Sequence, residues 1–223
     1  MLDIIIDYGQ LLLMAMGQTL LMALCGLFFA CIIGLIFGML SVVKNKVCNI
    51  ISQVFVDIVR GVPMIVLAYF VFFGVPYALK NMLGIRMTFT ALVAGTICLA
   101  LNCGAYMAEI IRAGIQSVNV GQMEAARSLG LPYWKAMQKI ILPQAIRTMI
   151  PSIINQFIIT LKDTSILSVI GFPELVNTAK NIIAVEFKSF QVWIIVGIMY
   201  LIVITTLSKL AKVLERRLNR GRK

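Results

Sequence analysis

Histidine is missing from this 223-residue chain, acids number only nine, and charged residues of both signs make up 13% of it. The first absence removes the commonest metal ligand and the side chain that titrates nearest neutrality. The scarcity of charge, set against 61% apolar residues and a mean hydropathy of +0.97, excludes an ordinary soluble domain, in which about a quarter of residues are charged. Cysteine is present but unpatterned. Cys25, Cys31, Cys48, Cys98 and Cys103 form no CxxC pair and fall mostly in apolar stretches, so they read as small packing residues and not as zinc ligands. No GxxxxGK[ST] segment occurs, so the chain has no P-loop to cradle ATP. The alternating segments of roughly ten residues that build an outer-membrane barrel are also missing. Asp3 and Asp7 stand where a secretory signal carries lysines, so no cleaved signal peptide is expected.

What is present is long apolar runs. A helix needs about 20 mainly apolar residues to cross roughly 30 Å of hydrocarbon, and the runs predict spans at about 11–43, 50–79, 88–111, 150–170 and 192–210. The expected fold class is all-α: a polytopic membrane protein with five transmembrane helices, forming a single domain over 1–223. The first run ends at Lys44-Asn45-Lys46 and holds no turn signal strong enough to split it. At 1.5 Å per residue it is about 50 Å long, which predicts one tilted helix and not a hairpin. Gly26, Ala30, Gly34 and Gly38 recur every four residues and put a smooth stripe on one face where another helix can approach. In the second run Arg60-Gly61-Val62-Pro63 predicts a kink.

Five spans place the termini on opposite sides, and the lysine and arginine bias orients them. With the C-terminus inside, fourteen of the twenty basic residues lie in inside segments, while the outside loops hold Lys80, Arg86, Lys180 and Lys188. The expectation is N-out/C-in, with a cytoplasmic loop at 112–149 and a basic cytoplasmic tail at 211–223. The net charge of +11 calls for no nucleic acid, because orientation and attraction to an anionic inner leaflet account for it.

Within the loop, Asn119 or Ser117 is placed to cap a helix carrying Glu124 in its first turn. Gly130 stops that helix, and Pro132 suits the first position of a second one, which runs until Pro143. Ala125 and Ala126 beside Glu124 offer a flat surface, and Leu129, Leu131, Tyr133 and Trp134 offer apolar anchors of the kind enriched at binding hot spots. The spacing itself is distinctive: Glu124-Ala125-Ala126, three residues, Gly130, nine residues, Ile140, one residue, Leu142-Pro143. This resembles the EAA loop of ABC-importer permeases. Arg60-Gly61-Val62-Pro63, the stretch from Tyr106 to Ile115, Gly121 to Glu124, and Leu161-Lys162-Asp163-Thr164-Ser165 further resemble the permeases of the polar amino acid uptake family, of histidine, glutamine, arginine or cystine type. Valine stands at 62 where that family has threonine, and alanine at 113 where it has glycine.

The resemblance implies a type I ABC importer permease fold in a bacterial cell (inner or plasma) membrane. It implies a non-enzymatic transport subunit without a cofactor of its own, ATP and magnesium being bound by a partner ATPase dimer. It further implies a second permease subunit, a copy or a relative, and an extracytoplasmic binding protein that delivers a polar amino acid. Glu124, Ala125, Ala126, Leu129, Gly130, Leu131, Tyr133 and Trp134 would then form the ATPase-coupling surface.

Polar groups inside spans are costly and tend to face a cavity or a partner. Asn102, Tyr106 and Glu109 share one helical face with Arg112, and Gln156, Thr160 and Asp163 or Thr164 share another, with Lys162 offset. These residues are candidates for a substrate path or its gating. Asp57 and Arg60 on the second span join these candidates, while Glu109 with Arg112, and Asp57 with Arg60, are also readable as structural ion pairs near the interface. Two other classes remain on residues alone. A self-sufficient secondary transporter or channel would show paired broken helices in matching halves, into which five spans do not divide. A membrane adaptor that transports nothing leaves Lys162 and Asp163 without a reason.

Overall fold

The computed structural model describes residues 1–219, with side chains through residue 213, so the end of the basic tail at 220–223 lies outside the described residues. All regular structure among the described residues is helical, and they contain no strand. The first helix, α1, runs unbroken over Leu2–Leu40, so the absence of a turn signal did mean a single helix. It begins nine residues before the expected span because Ile4 and Leu12 are buried against Leu175, Ile182 and Val192 from later in the chain.

The second expected span, at about 50–79, is corrected. Pro63 does not kink it but divides it, giving α2 at Lys46–Gly61 and α3 at Met64–Leu83. Val62 and Pro63 between them are extended, with φ/ψ of −99°/130° and −56°/137°. Gly61 is a weak helix former, and a residue before proline is pushed out of the α region, so two local preferences coincide there. The spanning helix is α3, and α2 carries Ser52, Gln53, Asp57 and Arg60.

The third span, α4, covers Ala91–Gln116. It is followed by the short helix α5 at Val120–Ser128 and by α6, which extends over Tyr133–Ile170. The helix expected to stop at Pro143 therefore continues into the fourth span. Its turn widens to π geometry over Met137–Ile141 immediately before Pro143, as α3 does over Phe70–Gly74 before Pro76. In both, the residue before proline donates its N–H five residues back, Leu142 to Met137 and Val75 to Phe70. The widened turn makes room for the proline ring and keeps the helix continuous. After Gly171, α7 at Leu175–Glu186 leads to α8 at Ser189–Asn219.

The α1–α4 seam is the most extensive contact between elements. Gly26, Ala30, Gly34 and Gly38 are all buried in it. A Cβ on Gly34 would lie 2.4 Å from the Met107 Cβ and 3.3 Å from the Gly104 carbonyl oxygen, so the small-residue stripe is what lets these backbones meet. At one end of the molecule Met39 and Val42 pack with Ile111, Ile115, Met123, Tyr133 and Met137. At the other end α7 is pinned by Glu174, which is fully buried. Its carboxylate accepts the N–H groups of Val176 at 2.8 Å and Asn177 at 2.6 Å, while Thr19 Oγ1 on α1 accepts the Leu175 N–H at 3.1 Å.

Candidate functional site

Two polar cavities open along α4. The central one, about 470 Å³, is lined by Arg60, Gly61, Val62, Pro63 and Met64 from the α2–α3 break, by Asn102 and Tyr106 from α4, and by Gln156, Ile159 and Asp163 from α6. Breaking the helix at Val62 is what allows backbone and side chains of 60–64 to face the two neighbouring spans. The Asn102 amide reaches back to this segment, with Nδ2 3.9 Å from the Met64 sulfur. Asn102 and Gln156 are both buried, and a buried amide is costly unless it finds polar partners.

The second cavity, about 270 Å³, lies one to two turns further along α4. Ser41, Ser52, Gln53, Val56, Asp57, Arg60, Ala108, Glu109 and Arg112 line it. Here Glu109 and Arg112 form a two-pronged ion pair, with Arg112 Nε donating to Glu109 Oε2 at 3.1 Å and Nη2 donating to Oε1. Arg112 Nη1 also donates to Gln116 Oε1 at 3.0 Å. The expected Asp57–Arg60 pair is not made: among the described residues the ion pairs are Glu109–Arg112 and Glu186–Lys188. Arg60 instead lies over the Tyr106 ring, its guanidinium carbon 4.8 Å from the ring centre.

Of the expected path residues, Asn102, Tyr106, Gln156 and Asp163 thus converge on one cavity, and Glu109 lines its neighbour. Thr160, Lys162 and Thr164 do not reach either cavity. Thr160 Oγ1 donates to the Gln156 carbonyl at 2.9 Å and Thr164 Oγ1 to the Leu161 carbonyl at 2.7 Å, both buried in the helix's own backbone, and Lys162 is exposed. In the sequence Gly61, Val62 and Pro63 read as a kink and a family-like element, not as cavity lining, and Met64 and Gln53 do not stand out at all. For Gln53 the signal was present in the spacing of Ser52, Gln53, Asp57 and Arg60, which puts a polar stripe on one face of a short helix.

The loop at the other end forms a short helix, a tight turn at Gly130 and the start of a second helix. Asn119 caps α5, its Oδ1 accepting the Gly121 N–H at 2.8 Å, while Ser117 donates instead to the Gly114 carbonyl. Glu124 is the fifth residue of α5 and not in its first turn, which removes the expected dipole contribution. The helix closes with the Leu131 N–H on the Ala126 carbonyl at 3.1 Å and the Gly130 N–H on the Arg127 carbonyl at 3.0 Å. This is a Schellman closure, and it places Gly130 at φ +82°, where glycine carries no Cβ penalty. The three-residue gap between Ala126 and Gly130 is therefore the gap between the carbonyl that accepts and the left-handed residue that turns the chain.

Glu124 and Ala125 are exposed, as are Leu129 at 83% and Trp134 at 56%. Ala126 is buried and so lies beneath this surface. Tyr133 is half-buried and packs inward, with the Lys44 ammonium 5.9 Å above its ring. Leu131 is half-buried.

The model of the family described as "Binding-protein-dependent transport system inner membrane component" matches residues 10–220. The glutamine transport system permease protein GlnP of Escherichia coli K12 is 37% identical over 172 residues, 77% of this chain and 76% of that one. The probable glutamine ABC transporter permease protein GlnM of Bacillus subtilis 168 is 39% identical over 171 residues, again 77% and 76% of the two chains. A chain from the crystal structure of an amino acid ABC transporter with histidines matches with a TM-score of 0.87 at 35% identity, covering 96% of both. Five helices long and apolar enough to span a membrane, one continuous all-helical unit and these relatives agree. The chain belongs to the binding-protein-dependent transport system inner membrane components, as a multi-pass transport subunit that leaves ATP hydrolysis to a separate one.

Proposed function

We propose that this chain forms the translocation path of an ATP-driven importer for polar amino acids, lies N-out/C-in, and couples to an ATPase dimer through α5 and the start of α6. The observation that carries the substrate class is the central cavity. Arg60 and Asp163 supply one cation and one anion, and Asn102 on α4 and Gln156 on α6 each turn an amide into the cavity lining. A zwitterion needs a cation for its carboxylate and an anion for its ammonium, and the amides suit a polar side chain that carries no net charge. Glutamine, named for the relatives in Escherichia coli and Bacillus subtilis, has that chemistry.

Coupling is assigned to Glu124, Ala125, Leu129 and Trp134, which present an acid, a flat patch and two apolar anchors on one exposed end of the molecule. Ala126, Gly130 and Leu131 shape that surface through the Schellman closure, and Tyr133 fixes it to the membrane domain. In the assembly, two such subunits, alike or related, receive substrate from an extracytoplasmic binding protein. Closure of the ATPases moves the coupling helices and, through them, the spans, each state being favoured by different contacts.

The test is uptake of radiolabelled glutamine into proteoliposomes. Uptake is expected when the chain is reconstituted with ATPase, binding protein and ATP, and is not expected from the chain alone. Uptake by the chain alone at a comparable rate would overturn the reading in favour of a self-sufficient carrier. Exchange of Asp163→Asn in the full assembly is expected to raise the substrate concentration needed for half-maximal uptake by about tenfold, because an unpaired ammonium in a low-dielectric site loses a charge-assisted bond.

A further inference from the structure

Arg60 is the residue common to both cavities. The cavities follow one another along α4: Asn102 and Tyr106 line the central one, while Ala108, Glu109 and Arg112 line the other. At 1.5 Å per residue their midpoints are about 9 Å apart along the helix axis. The guanidinium lies against the Tyr106 ring at the junction of the two, 4.8 Å from the ring centre.

We propose that the Arg60–Tyr106 contact is a gate between two compartments of the path. Stacked on the ring, the guanidinium closes the passage; released from it, Arg60 pairs with the Asp57 carboxylate in the second cavity and the passage opens. The inference rests on the transport reading above and adds to it the residue that separates the compartments.

Three features make the exchange available. Arg60 is in the last turn of α2, directly before Gly61 and the extended Val62-Pro63 segment, and a Cβ built on Gly61 meets nothing within 4 Å. Arg60 is itself exposed, so the arm that carries the guanidinium sits at a helix end with room to move. A cation over an aromatic face is held less firmly than a cation on a carboxylate, and the planar guanidinium suits both partners. Asp57 is three residues away on the same helix and lines the receiving cavity, so the second partner is in place and makes no ion pair among the described residues. Glu109, the other acid in that cavity, is already held by Arg112. A substrate carboxylate arriving in the central cavity competes for the same guanidinium, which ties opening to the presence of cargo.

The test reads passage between the cavities without relying on any substrate. In a variant whose five natural cysteines are replaced, Asn102→Cys supplies a single thiol in the central cavity. A membrane-impermeant, positively charged methanethiosulfonate reagent is applied to the assembled transporter from the side bearing α5. With Tyr106 present the thiol should label slowly. Tyr106→Leu should speed labelling by about tenfold, whereas Tyr106→Phe, which keeps the ring face, should leave it unchanged. Arg60→Ala should behave as Tyr106→Leu does. Equal labelling rates in all four proteins would overturn the gate, as would fast labelling with the pair intact. A transporter that fails to take up any amino acid while Tyr106→Leu still opens the central cavity would sink the substrate reading and leave the gate standing.

Discussion

At the scale of single residues, the α1–α4 seam sets the sharpest constraint. Gly34→Ala forces a Cβ to 2.4 Å from Met107, in a seam where both backbones are fixed, and overpacking of this kind costs about 1–3 kcal/mol. Gly17→Ala, on the same helix with nothing within 4 Å of the new Cβ, gains helix propensity and loses nothing. Thermal unfolding in detergent should show the first variant several degrees below wild type and the second at or slightly above it; equal midpoints would mean the seam yields. The stripe was legible because period four is visible in a sequence. Which polar residues line the two cavities was only half legible. Thr160 and Thr164 share the stripe of Gln156 and Asp163, but a threonine hydroxyl in a helix can turn back to its own carbonyls, and here both do. Nothing in sequence spacing distinguishes a hydroxyl satisfied by its own turn from one that points at cargo.

At the scale of elements, the prolines carried the main surprise. Pro63 ends a helix, whereas Pro76 and Pro143 are absorbed by π turns just upstream. The sequence shows where proline stands but not whether the preceding turn widens, because that depends on what packs against it. Pro143→Ala removes the reason for widening; the expected outcome is a regular turn over 137–141 and a rotated α5 relative to α6. Substrate-stimulated ATP hydrolysis should fall several-fold while membrane insertion is unchanged, and normal stimulation would separate the bulge from coupling. Glu174 gives a second element-scale prediction, although in the sequence a lone acid in a loop looks like any solvated one. Burial pushes its carboxyl above the ordinary value of 4.5, outweighing the backbone N–H groups of Val176 and Asn177, the Tyr200 hydroxyl and the charge of Lys180. A raised value in the folded state means that the folded protein binds the proton more tightly. The stability from this group is therefore complete below 4.5 and is lost as pH rises through the raised value. Glu174→Gln should flatten that part of the stability profile measured by thermal unfolding across the acidic range; an unchanged profile would remove Glu174 from it.

For the whole molecule, the all-helical class and five spans were legible from hydropathy alone, since lipid forces every backbone group to be satisfied within its own helix. The meeting of the α2–α3 break with α4 and α6 was not, because it depends on three segments distant in sequence. Orientation is a prediction at this scale. Reporters fused to the two ends should place the N-terminus outside and the C-terminus inside, and both on one side would require an even number of spans. Docking is another. Leu129→Asp together with Trp134→Ala removes both exposed anchors, and the loss of two hot-spot side chains, each about 1–4 kcal/mol, should weaken co-purification of the ATPase by at least about tenfold.

The continuity of α6 has a thermodynamic consequence. From Tyr133 beside the proposed docking surface to Ile170 beside α7 the helix is continuous over 38 residues, tightening to 3-10 geometry over Thr164–Ile170, a rod of roughly 60 Å. A rod carries displacement in both directions. If nucleotide-driven closure at one end changes the affinity for a delivered binding protein at the other, arrival of that protein must change nucleotide affinity by the same factor. The direction of transport then comes from the hydrolysis step, and the helix itself favours neither end.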